Sequence, residues 1–319
     1  MAVYTKIDKS DIKLINTKFK IEKIISFQGI KQGIENTNYL LKSKDKKFIL
    51  TIFEKRVSNK EITFFMKLMD KLNSSKINCP KPLKTKNDSY LIKLKKKTAC
   101  IVSFLEGKDK KKLSIKDCYA VGKITAQMHL VTEKLKLYRK NSMGIKNLNS
   151  LLKSIKFKDN KFSKIDLFLK NNLKNINKYW PKKLPNGIIH GDLFIDNIFF
   201  KKNKFSGFID FYFSCNDFYA YEIAICLNAW CFELNNNEFN PTKAKYLLKS
   251  YNEYRKFSIE EVDALPLLTR ASALRYLLTR LIDFHTHADS ELILKKNPNE
   301  YLLKLKFHQT VKKASEYGL

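Results

Sequence analysis

The stretch that decides the fold is IIHGDLFIDNIFF at residues 188–200, followed by GFIDFYF at 207–213. Apolar residues that favour β-strands surround a few polar ones in both segments. This pattern predicts short strands with polar side chains at their ends and turns, where the backbone holds them rigidly. The polar residues of interest are His190, Asp192, Asn197 and Asp210.

The order and spacing of these four residues predict a phosphoryl-transfer site. Asp192 and Asn197 are separated by four residues, as in the catalytic loop of kinases, where the Asp takes the hydroxyl proton and the Asn binds a metal. Asp210 follows where a second metal-binding Asp is expected. The reaction requires a positioned nucleophile and neutralised phosphate charge, usually through Mg²⁺ on oxygen ligands. His190 or Asp192 alone would more often belong to an ordinary turn, but the four together indicate a kinase.

The composition is strongly basic, with 62 Lys and Arg against 31 Asp and Glu and a formal net charge of +31. Such a charge often indicates a nucleic-acid or membrane partner. Only six of the basic residues are Arg, and the lysines are scattered in short runs without an aromatic recognition module. We therefore expect a solvated basic surface, with neither a nucleic-acid nor a membrane partner, that attracts small anions such as nucleotides.

The length of 319 residues, with 44% hydrophobic content, suffices for two lobes with separate cores. No apolar run approaches the roughly 20 residues of a membrane span, and the start lacks the pattern of a signal peptide. Six cysteines occur without a Cys-x-x-Cys pair, as expected for reduced, buried thiols. These features predict a cytoplasmic protein and leave its oligomeric state open.

The hydrophobic pattern divides the chain into two lobes, predicted at residues 1–104 and 105–319. The first has strand patterns near 20–28, 36–43, 47–53 and 98–104, with an amphipathic helix near 59–73. The second is mostly helical, with patterns near 115–130, 163–180, 217–232, 242–255, 260–285 and 298–316. The segment SFLEG at 103–107 is the candidate hinge.

A glycine-containing turn in the first lobe, QGIKQGIENTNYLL at 28–41, is a second candidate site. Glycines allow backbone amides to approach phosphates, and the polar side chains here are short. Alone, this stretch is more often a plain hairpin, but the downstream kinase pattern favours a phosphate-covering loop. Its candidate residues are Gly33, Glu35, Asn36 and Asn38.

Nearly from end to end, the chain is similar to the type II homoserine kinases, in the aminoglycoside-phosphotransferase-like branch of the protein-kinase-like fold. The HGDxxxxN pattern and the later Asp define only the superfamily, whereas ICLNAWCFE and FYFSCND are more specific. The resemblance implies an α+β, bilobal, protein-kinase-like fold, with a small antiparallel-sheet N-lobe and a mostly helical C-lobe. It rests on GIENTNYLL at 33–41, FILTIFEKRV at 48–57, IVSFLEG at 101–107, LPNGIIHGDLFIDNIFF at 184–200, SGFIDFYFSCND at 206–217, AICLNAWCFE at 224–233 and ALRYLLTRLIDF at 273–284.

The resemblance implies that ATP phosphorylates the side-chain hydroxyl of L-homoserine, giving O-phosphohomoserine on the route to threonine. Asp192 would take the hydroxyl proton and His190 would brace the loop. Asn197 and Asp210 would hold Mg²⁺, and the loop that includes Gly33 would cover the phosphates. Backbone groups at Ser103, Phe104 and Leu105 would pair with adenine.

Two departures from the wider kinase pattern stand out. Thr51 occupies the third-strand position where a phosphate-pairing Lys is expected, with Lys55 and Arg56 as alternatives. The metal-binding Asp is followed by Phe and Tyr212 instead of Phe and Gly, so no activation-loop switch is expected. The second departure favours a small-molecule kinase over a protein kinase.

Homoserine is a zwitterion, so its site should offer a cation for the carboxylate and an acceptor for the ammonium group. Most basic residues of this chain are Lys, so each Arg indicates a position where a planar donor is needed. Arg275 and Arg280 are therefore candidates for substrate binding, with buried structural ion pairs as an equal alternative. Further pocket candidates, on the segment after Asp210, are Asp217, Glu222, Asn228 and Trp230, the last being more often core.

Two other functions stay open at this point. The first is a related kinase that acts on choline, a sugar or an aminoglycoside, whose site would need clustered carboxylates or an aromatic cage. The scattered acids after Asp210 favour a zwitterion instead. The second is a basic binding protein without enzymatic activity, which would bind nucleic acid with a steep dependence on salt.

Overall fold

Two compact units make up the computed structural model, which describes residues 3–30, 36–54, 57–155, 157, 165–286 and 296–319. The first unit comprises Met1–Lys108 and Phe199–Tyr212, and the second comprises Asp109–Ile198 and Phe213–Leu319. The sequence divided the chain at 104/105. That boundary stays a prediction, and residues 199–212, assigned by sequence to the second lobe, pack within the first unit.

The first unit is built on a five-stranded antiparallel sheet with the order β1-β2-β3-β5-β4. Apolar side chains of the central strands, such as Leu41, Leu50 and Ile101, are fully buried and form one core with α1. Its strands are β1 Ser26–Gly29, β2 Thr37–Lys42, β3 Lys47–Ile52, β4 Leu91–Leu94 and β5 Lys97–Ser103, and its helices are α1 Lys9–Lys18 and α2 Asn59–Ser74.

Both helices of the first unit begin at a capping box, which supplies partners for backbone N–H groups that have none inside the helix. Asp8 with Asp11 caps α1, and Ser58 with Glu61 caps α2. A hairpin of β7 (Ile198–Lys201) and β8 (Lys204–Phe208) follows later in the chain. It reaches the rest of this unit through a hydrogen bond from Phe208 N to Asn78 O.

The second unit is helical, and α6 lies at its centre with all twelve residues buried. A two-stranded antiparallel sheet joins β6 (Asn186–Ile189) to β9 (Cys215–Phe218). Four of the other helices, α4, α5, α8 and α9, share one hydrophobic core with α6. The helices of this unit are α3 Ile115–Thr132, α4 Ile145–Ser154, α5 Asp166–Tyr179, α6 Tyr219–Trp230, α7 Pro241–Tyr254, α8 Ile259–Thr286 and α9 Pro298–Thr310.

All six cysteines are buried free thiols, as the sequence predicted. Burial raises the pKa of five of them, which keeps those sulfurs protonated and unreactive. The five are Cys79, Cys100, Cys215, Cys226 and Cys231. Within the described ranges, no helix is both long and apolar enough to span a bilayer.

Candidate active site

The predicted catalytic residues of the second unit lie on one loop, residues 190–197, here called the HGD loop. It leaves β6 after Ile189 and ends in a 3₁₀ turn at Ile195–Asn197, directly before β7. Gly191 has a φ of +79°, and a Cβ there would stand 2.7 Å from the carbonyl oxygen of Phe213. Only glycine fits this turn without strain, so the turn fixes where Asp192 emerges.

Both carboxylate oxygens of Asp192 accept hydrogen bonds from the second unit. The hydroxyl of Tyr276 donates to Oδ1 at 3.1 Å, and Asn197 Nδ2 donates to Oδ2 at 3.0 Å. The same Asn197 amide also donates to the Asp192 carbonyl at 2.8 Å. The carboxylate is therefore held in one orientation, which a general base requires before substrate arrives.

Burial raises the pKa of Asp192, and the positive charges of Arg275 and His190 and the hydrogen bond from Tyr276 oppose this shift. A carboxylate with a raised pKa binds a proton more strongly than a solvated one. General bases work best when their pKa lies near the working pH. The surroundings of Asp192 therefore favour a proton-accepting role.

A buried carboxylate, that of Glu222 on α6, binds the backbone at the start of the HGD loop. Its Oε2 accepts the backbone N–H of His190 at 2.6 Å, and its Oε1 accepts that of Gly191 at 2.7 Å. Hydrogen bonds to an ionised acceptor are among the stronger ones in proteins. Glu222 is fully buried, so it anchors the loop to the core of the second unit.

Glu222 is itself held by a buried chain of polar groups. His129 on α3 lies with Nε2 3.3 Å from Glu222 Oε2 and Nδ1 2.8 Å from the hydroxyl of Tyr251. Burial lowers the pKa of His129, more than Glu222 raises it. The neutral ring then carries its proton on Nε2 toward Glu222 and accepts one from Tyr251. Arg255 continues the chain by donating to Tyr251 at 3.2 Å and to Glu261 at 3.0 Å.

Two predicted pocket residues on α6, Asn228 and Trp230, are fully buried with protein partners. Trp230 Nε1 donates to the carbonyl of Leu193 in the HGD loop at 2.9 Å. Asn228 Nδ2 donates to the carbonyls of Ala224 and Thr269, both at 3.0 Å. The structure gives Trp230 a part in supporting the loop, and the substrate contacts of both residues stay predictions.

Arg275 and Arg280, the two arginines predicted to bind substrate, both lie on α8. Arg275 is only 3% exposed, and its Nη1 donates to the carbonyl of Gly191 at 3.0 Å. Its Nε has no hydrogen-bond partner among the described residues. Arg280 donates to Glu300 at 2.6 Å and stacks over Tyr301. The structure thus shows the ion-pair alternative for Arg280, and a backbone contact with the HGD loop for Arg275.

Asp217 on β9 is half-buried and is bonded to a segment that sequence reasoning missed. Its Oδ2 accepts from Asn141 Nδ2 at 2.5 Å, and burial raises its pKa against that bond and the charge of Arg275. Arg139, two residues before Asn141, accepts the backbone N–H of Asn216 on β9 and donates its own N–H to Asn216 Oδ1. Its Nη1 donates to Ser214 O at 3.0 Å. Arg139 is one of only six arginines, a signal that could have found it.

In the first unit, Thr51 on β3 faces Asn38 on β2, and its hydroxyl donates to Asn38 Oδ1 at 2.7 Å. Thr51 also hydrogen-bonds Tyr212, whose pKa burial raises far above its usual range. A neutral polar cluster therefore occupies the position where kinases usually carry a Lys. Gly33, Glu35, Lys55 and Arg56 lie outside the described residues.

The other predicted nucleotide residues of the first unit are also bonded to its framework. Asn36 is buried and accepts the N–H of Glu54 at 3.4 Å. Ser103 and Phe104 donate their backbone N–H groups to Lys81 and Lys47 carbonyls at 2.8 and 3.1 Å. Leu105, next in the chain, is half-buried.

Asp210 lies in the first unit between β8 and a 3₁₀ turn at Phe211–Phe213. It is exposed and has a φ of +61°, the left-handed region that Asp enters more readily than most residues. Backbone strain of this kind clusters at functional sites.

The predicted metal ligands fit Mg²⁺ by chemistry. The Asn197 amide nitrogen is bonded to Asp192, which leaves its Oδ1 as the atom that can bind a cation, and Asp210 offers a carboxylate. Both are hard oxygen donors, the type Mg²⁺ prefers. Among the described residues, no group of three or more His, Cys, Asp or Glu could hold a metal.

The chain matches the model of the phosphotransferase enzyme family over residues 26–257. It is 42% identical to a homoserine kinase of Rhizobium etli over 320 residues, covering 100% of this chain and 99% of that protein. A homoserine kinase of Parvibaculum lavamentivorans is 40% identical, again over 100% of this chain and 99% of the relative.

Solved structures show the same fold at low sequence identity. An amicoumacin kinase in complex with AMP-PNP, Ca²⁺ and Ami superposes with a TM-score of 0.72 at 14% identity, covering 96% of this chain and 93% of that one. A microcompartment-associated aminopropanol kinase gives 0.69 at 14% identity, with coverage of 97% and 95%. These likenesses confirm the predicted fold class.

Proposed function

Because this chain belongs to the phosphotransferase enzyme family and, within it, to the homoserine kinases, we propose that it transfers the γ-phosphoryl group of ATP to the side-chain hydroxyl of L-homoserine. The products are O-phosphohomoserine and ADP, on the route to threonine. The observation that carries the proposal is the identity of 42% with a homoserine kinase over the whole chain. The held carboxylate of Asp192 supplies the matching chemistry.

Asp192 is the proposed general base. The homoserine oxygen forms a bond to the γ-phosphorus while the bond from that phosphorus to the β,γ-bridging oxygen breaks, and ADP leaves with the electron pair. The hydroxyl proton passes to Asp192. Its fixed orientation and raised pKa support this role. His190, bonded through its backbone to buried Glu222, braces the loop.

Mg²⁺ is the proposed metal, with Asn197 and Asp210 as its protein ligands. When bound, it neutralises the charge on the transferring phosphate. Support comes from the oxygen donors of both residues and from the arrangement that ties the Asn197 nitrogen to Asp192.

The proposed nucleotide residues belong to the first unit. Gly33, Glu35, Asn36 and Asn38 would cover the phosphates, and the backbone at 103–105 would pair with adenine. Because the N–H groups of Ser103 and Phe104 already have partners, the backbone of Leu105 is the favoured adenine contact. Thr51, neutral and bonded to Asn38, takes the place of a phosphate-pairing Lys.

The proposed homoserine site lies in the second unit near Arg275. This guanidinium is close enough to Asp192 and to Asp217 to affect the pKa of each. Asp217 would accept the substrate ammonium group and an arginine would pair with the carboxylate. Arg275 is the first candidate for the cation, with Arg280 as the second. Asn228 and Trp230 would shape the pocket from α6.

A cytoplasmic location is proposed as well. It is supported by the six cysteines, which are all described and all free. Unpaired buried thiols are typical of a reducing compartment.

One assay tests the reaction. Purified protein receives ATP and Mg²⁺ with a panel of homoserine, serine, choline, ethanolamine, a sugar and an aminoglycoside, and ADP release is followed together with the phosphorylated product. Homoserine is expected to give the highest kcat/KM. Turnover only with another acceptor would assign the chain to the related small-molecule kinases.

Replacing the base tests its role. Asp192→Asn is expected to lower kcat by about 10² to 10⁴ while ATP binding persists, because only proton transfer and hydroxyl positioning are lost. Steady-state kinetics and calorimetric ATP titration measure the two effects. Asp88→Asn is the matched control, since Asp88 is exposed, lies outside the HGD loop and pairs with Lys84. An Asp192→Asn enzyme with unchanged kcat would remove Asp192 from the chemistry.

A further inference from the structure

We propose that Tyr276 is a positioning residue for phosphoryl transfer, which orients the Asp192 carboxylate through its hydroxyl group. The inference rests on the proposed role of Asp192 as general base. The Tyr276 hydroxyl stands 3.1 Å from Asp192 Oδ1 and 3.2 Å from the carbonyl oxygen of Gly191. The single proton of this hydroxyl is thus shared between the carboxylate and the carbonyl of the residue before it.

The two carboxylate oxygens have different partners on different elements. Oδ2 is bonded to Asn197 within the HGD loop, whereas Oδ1 is bonded to Tyr276 on α8, 84 residues away in sequence. A single hydrogen bond would leave the carboxylate free to rotate about its Cβ–Cγ bond. Bonds to both oxygens fix the plane of the group, and hence the direction in which it can accept a proton.

The Tyr276 hydroxyl does not hold the loop backbone alone. Arg275 Nη1 also donates to the Gly191 carbonyl, at 3.0 Å, and Glu222 accepts two backbone N–H groups of the loop. Removing the hydroxyl therefore leaves the loop anchored and releases mainly Asp192 Oδ1. Removal of this hydroxyl should therefore change the orientation of the Asp192 carboxylate without moving the loop.

The ring of Tyr276, as distinct from its hydroxyl, packs in an aromatic cluster, and a phenylalanine would keep this packing. It is 7% exposed and packs edge-on against Phe194 at 4.7 Å between ring centroids, and against Tyr301 at 5.3 Å. Tyr301 is the natural comparison, because it is fully buried in the same aromatic cluster. Its hydroxyl has no hydrogen-bond partner in the described part of the chain.

The first test compares Tyr276→Phe with Tyr301→Phe in the full-length enzyme. Tyr276→Phe is expected to lower kcat about 10- to 100-fold, the range found for residues that orient metal-binding side chains through a hydrogen bond. The KM values for ATP and homoserine should stay within about twofold, since the hydroxyl is used for Asp192 and the Gly191 carbonyl. Tyr301→Phe should leave kcat unchanged. The thermal midpoint of each variant shows whether packing is preserved.

A double-mutant cycle separates positioning from a structural effect. If Tyr276 acts through Asp192, Tyr276→Phe should lower kcat no further in an Asp192→Asn background. Equal effects in both backgrounds, or a fall in kcat matched by Tyr301→Phe, would overturn the inference. An unchanged kcat in Tyr276→Phe would do the same. A wild-type enzyme that does not phosphorylate homoserine would instead refute the proposed function.

Discussion

The carboxylate of Glu222 shows how one buried residue determines a loop. It lies beneath the HGD loop and accepts two backbone N–H groups, at 2.6 and 2.7 Å, one on each oxygen. A buried ion is costly unless it is well bonded, and here both backbone donors would also lack a partner without it. The shape of the loop and the presence of the charge therefore depend on each other.

Glu222→Gln tests this dependence. The amide group of Gln must turn its NH₂ toward one of the two backbone donors, so that a buried N–H loses its acceptor. We expect the free energy of unfolding to fall by about 1 to 3 kcal/mol and kcat to fall with it. Urea unfolding and steady-state kinetics measure both. Glu253→Gln, at an exposed position, is the control and should change little; equal stability of the two variants would contradict the anchoring role.

At this scale the sequence predicts the residues of the HGD loop but few of their partners. His190, Asp192 and Asn197 lie in one motif, so their spacing alone indicates a common loop. Tyr276 contacts that loop from a distant part of the sequence, and an isolated Tyr on a helix carries no local signal. Glu222 was predicted only to line the pocket, whereas in the structure it accepts two backbone N–H groups of the loop. The pattern also gives no way to separate a substrate arginine from one that bonds the backbone, as Arg275 does.

At the scale of elements, α3 and α7 approach more closely than any side chain would allow. A Cβ added to Gly122 on α3 would stand 2.1 Å from the carbonyl oxygen of Leu247 on α7. This helix pair carries His129 and Tyr251, both in the chain of groups behind Glu222. A small residue at the contact therefore sets the spacing on which that chain depends.

Gly122→Ala should separate the two helices. The added methyl group meets backbone that cannot move aside alone, so we expect a loss of about 1 to 3 kcal/mol in the free energy of unfolding. Chemical denaturation measures it. Gly144→Ala is the control, because its nearest neighbours are 3.5 Å away, and it should cost at most about 1 kcal/mol. If both variants were equally stable, the contact would not be tight in solution.

Another polar chain joins α6, α8, α9 and the C-terminal turn. His308 on α9 lies 3.2 Å from Asn228 Oδ1 and 2.7 Å from the hydroxyl of Tyr317, which in turn lies 2.7 Å from Thr269 Oγ1. Asn228 uses its nitrogen for backbone carbonyls, so its oxygen must accept from His308 Nε2. Burial favours the neutral ring, in which Nε2 carries the proton and Nδ1 accepts one from Tyr317.

This neutral ring makes stability depend on pH. Burial lowers the pKa of His308 to about 3, and the charges of Lys304 and Arg270 add to the shift. Above about pH 6.5 neither state binds the proton, whereas below it only the unfolded state does. The free energy of unfolding should then fall as pH drops from about 6.5 toward about 3, by up to about 1.4 kcal/mol per pH unit. Urea unfolding of wild type and His308→Gln checks this.

His308→Gln should have a lower free energy of unfolding than wild type at pH 8. Below about pH 6.5 its free energy of unfolding should change less with pH than that of wild type. His129, also buried with a lowered pKa, adds to the dependence in both proteins. Identical pH profiles for wild type and His308→Gln would exclude His308 as the titrating group.

Most elements are found where the hydrophobic pattern predicts them, including β2, β3, β5, α2, α3 and α6–α8. The strand predicted near 20–28 is observed only from Ser26, because its partner β2 ends at Lys42, the residue that pairs with Ser26. The helix predicted over 298–316 ends at Thr310, where Val311 is extended. Sequence reasoning missed α1, whose Asp8 cap was a readable signal, and α4, which has no side-chain cap.

At the scale of the whole molecule, the formal net charge of +31 acts as a long-range field. Such a field raises the rate at which anions arrive without adding a contact at the site. ATP is strongly anionic, whereas homoserine is neutral overall. The two substrates should therefore respond differently to salt.

We expect the association rate of a fluorescent ATP analogue to fall several-fold between about 0.05 and 0.5 M KCl, as screening shortens the reach of the field. Stopped-flow fluorescence measures this rate. The KM for homoserine at saturating ATP is the internal control and should change little. A rate of ATP association that does not vary with salt would show that the surface lysines do not steer the nucleotide.

The buried thiols give each unit its own reporter. Cys79 and Cys100 belong to the first unit, and the other four cysteines belong to the second. A maleimide or disulfide reagent added to the native enzyme meets no accessible sulfur, so modification must wait for a transient opening. Mass spectrometry of the labelled peptides over time would then compare how often each unit opens transiently, without an engineered label.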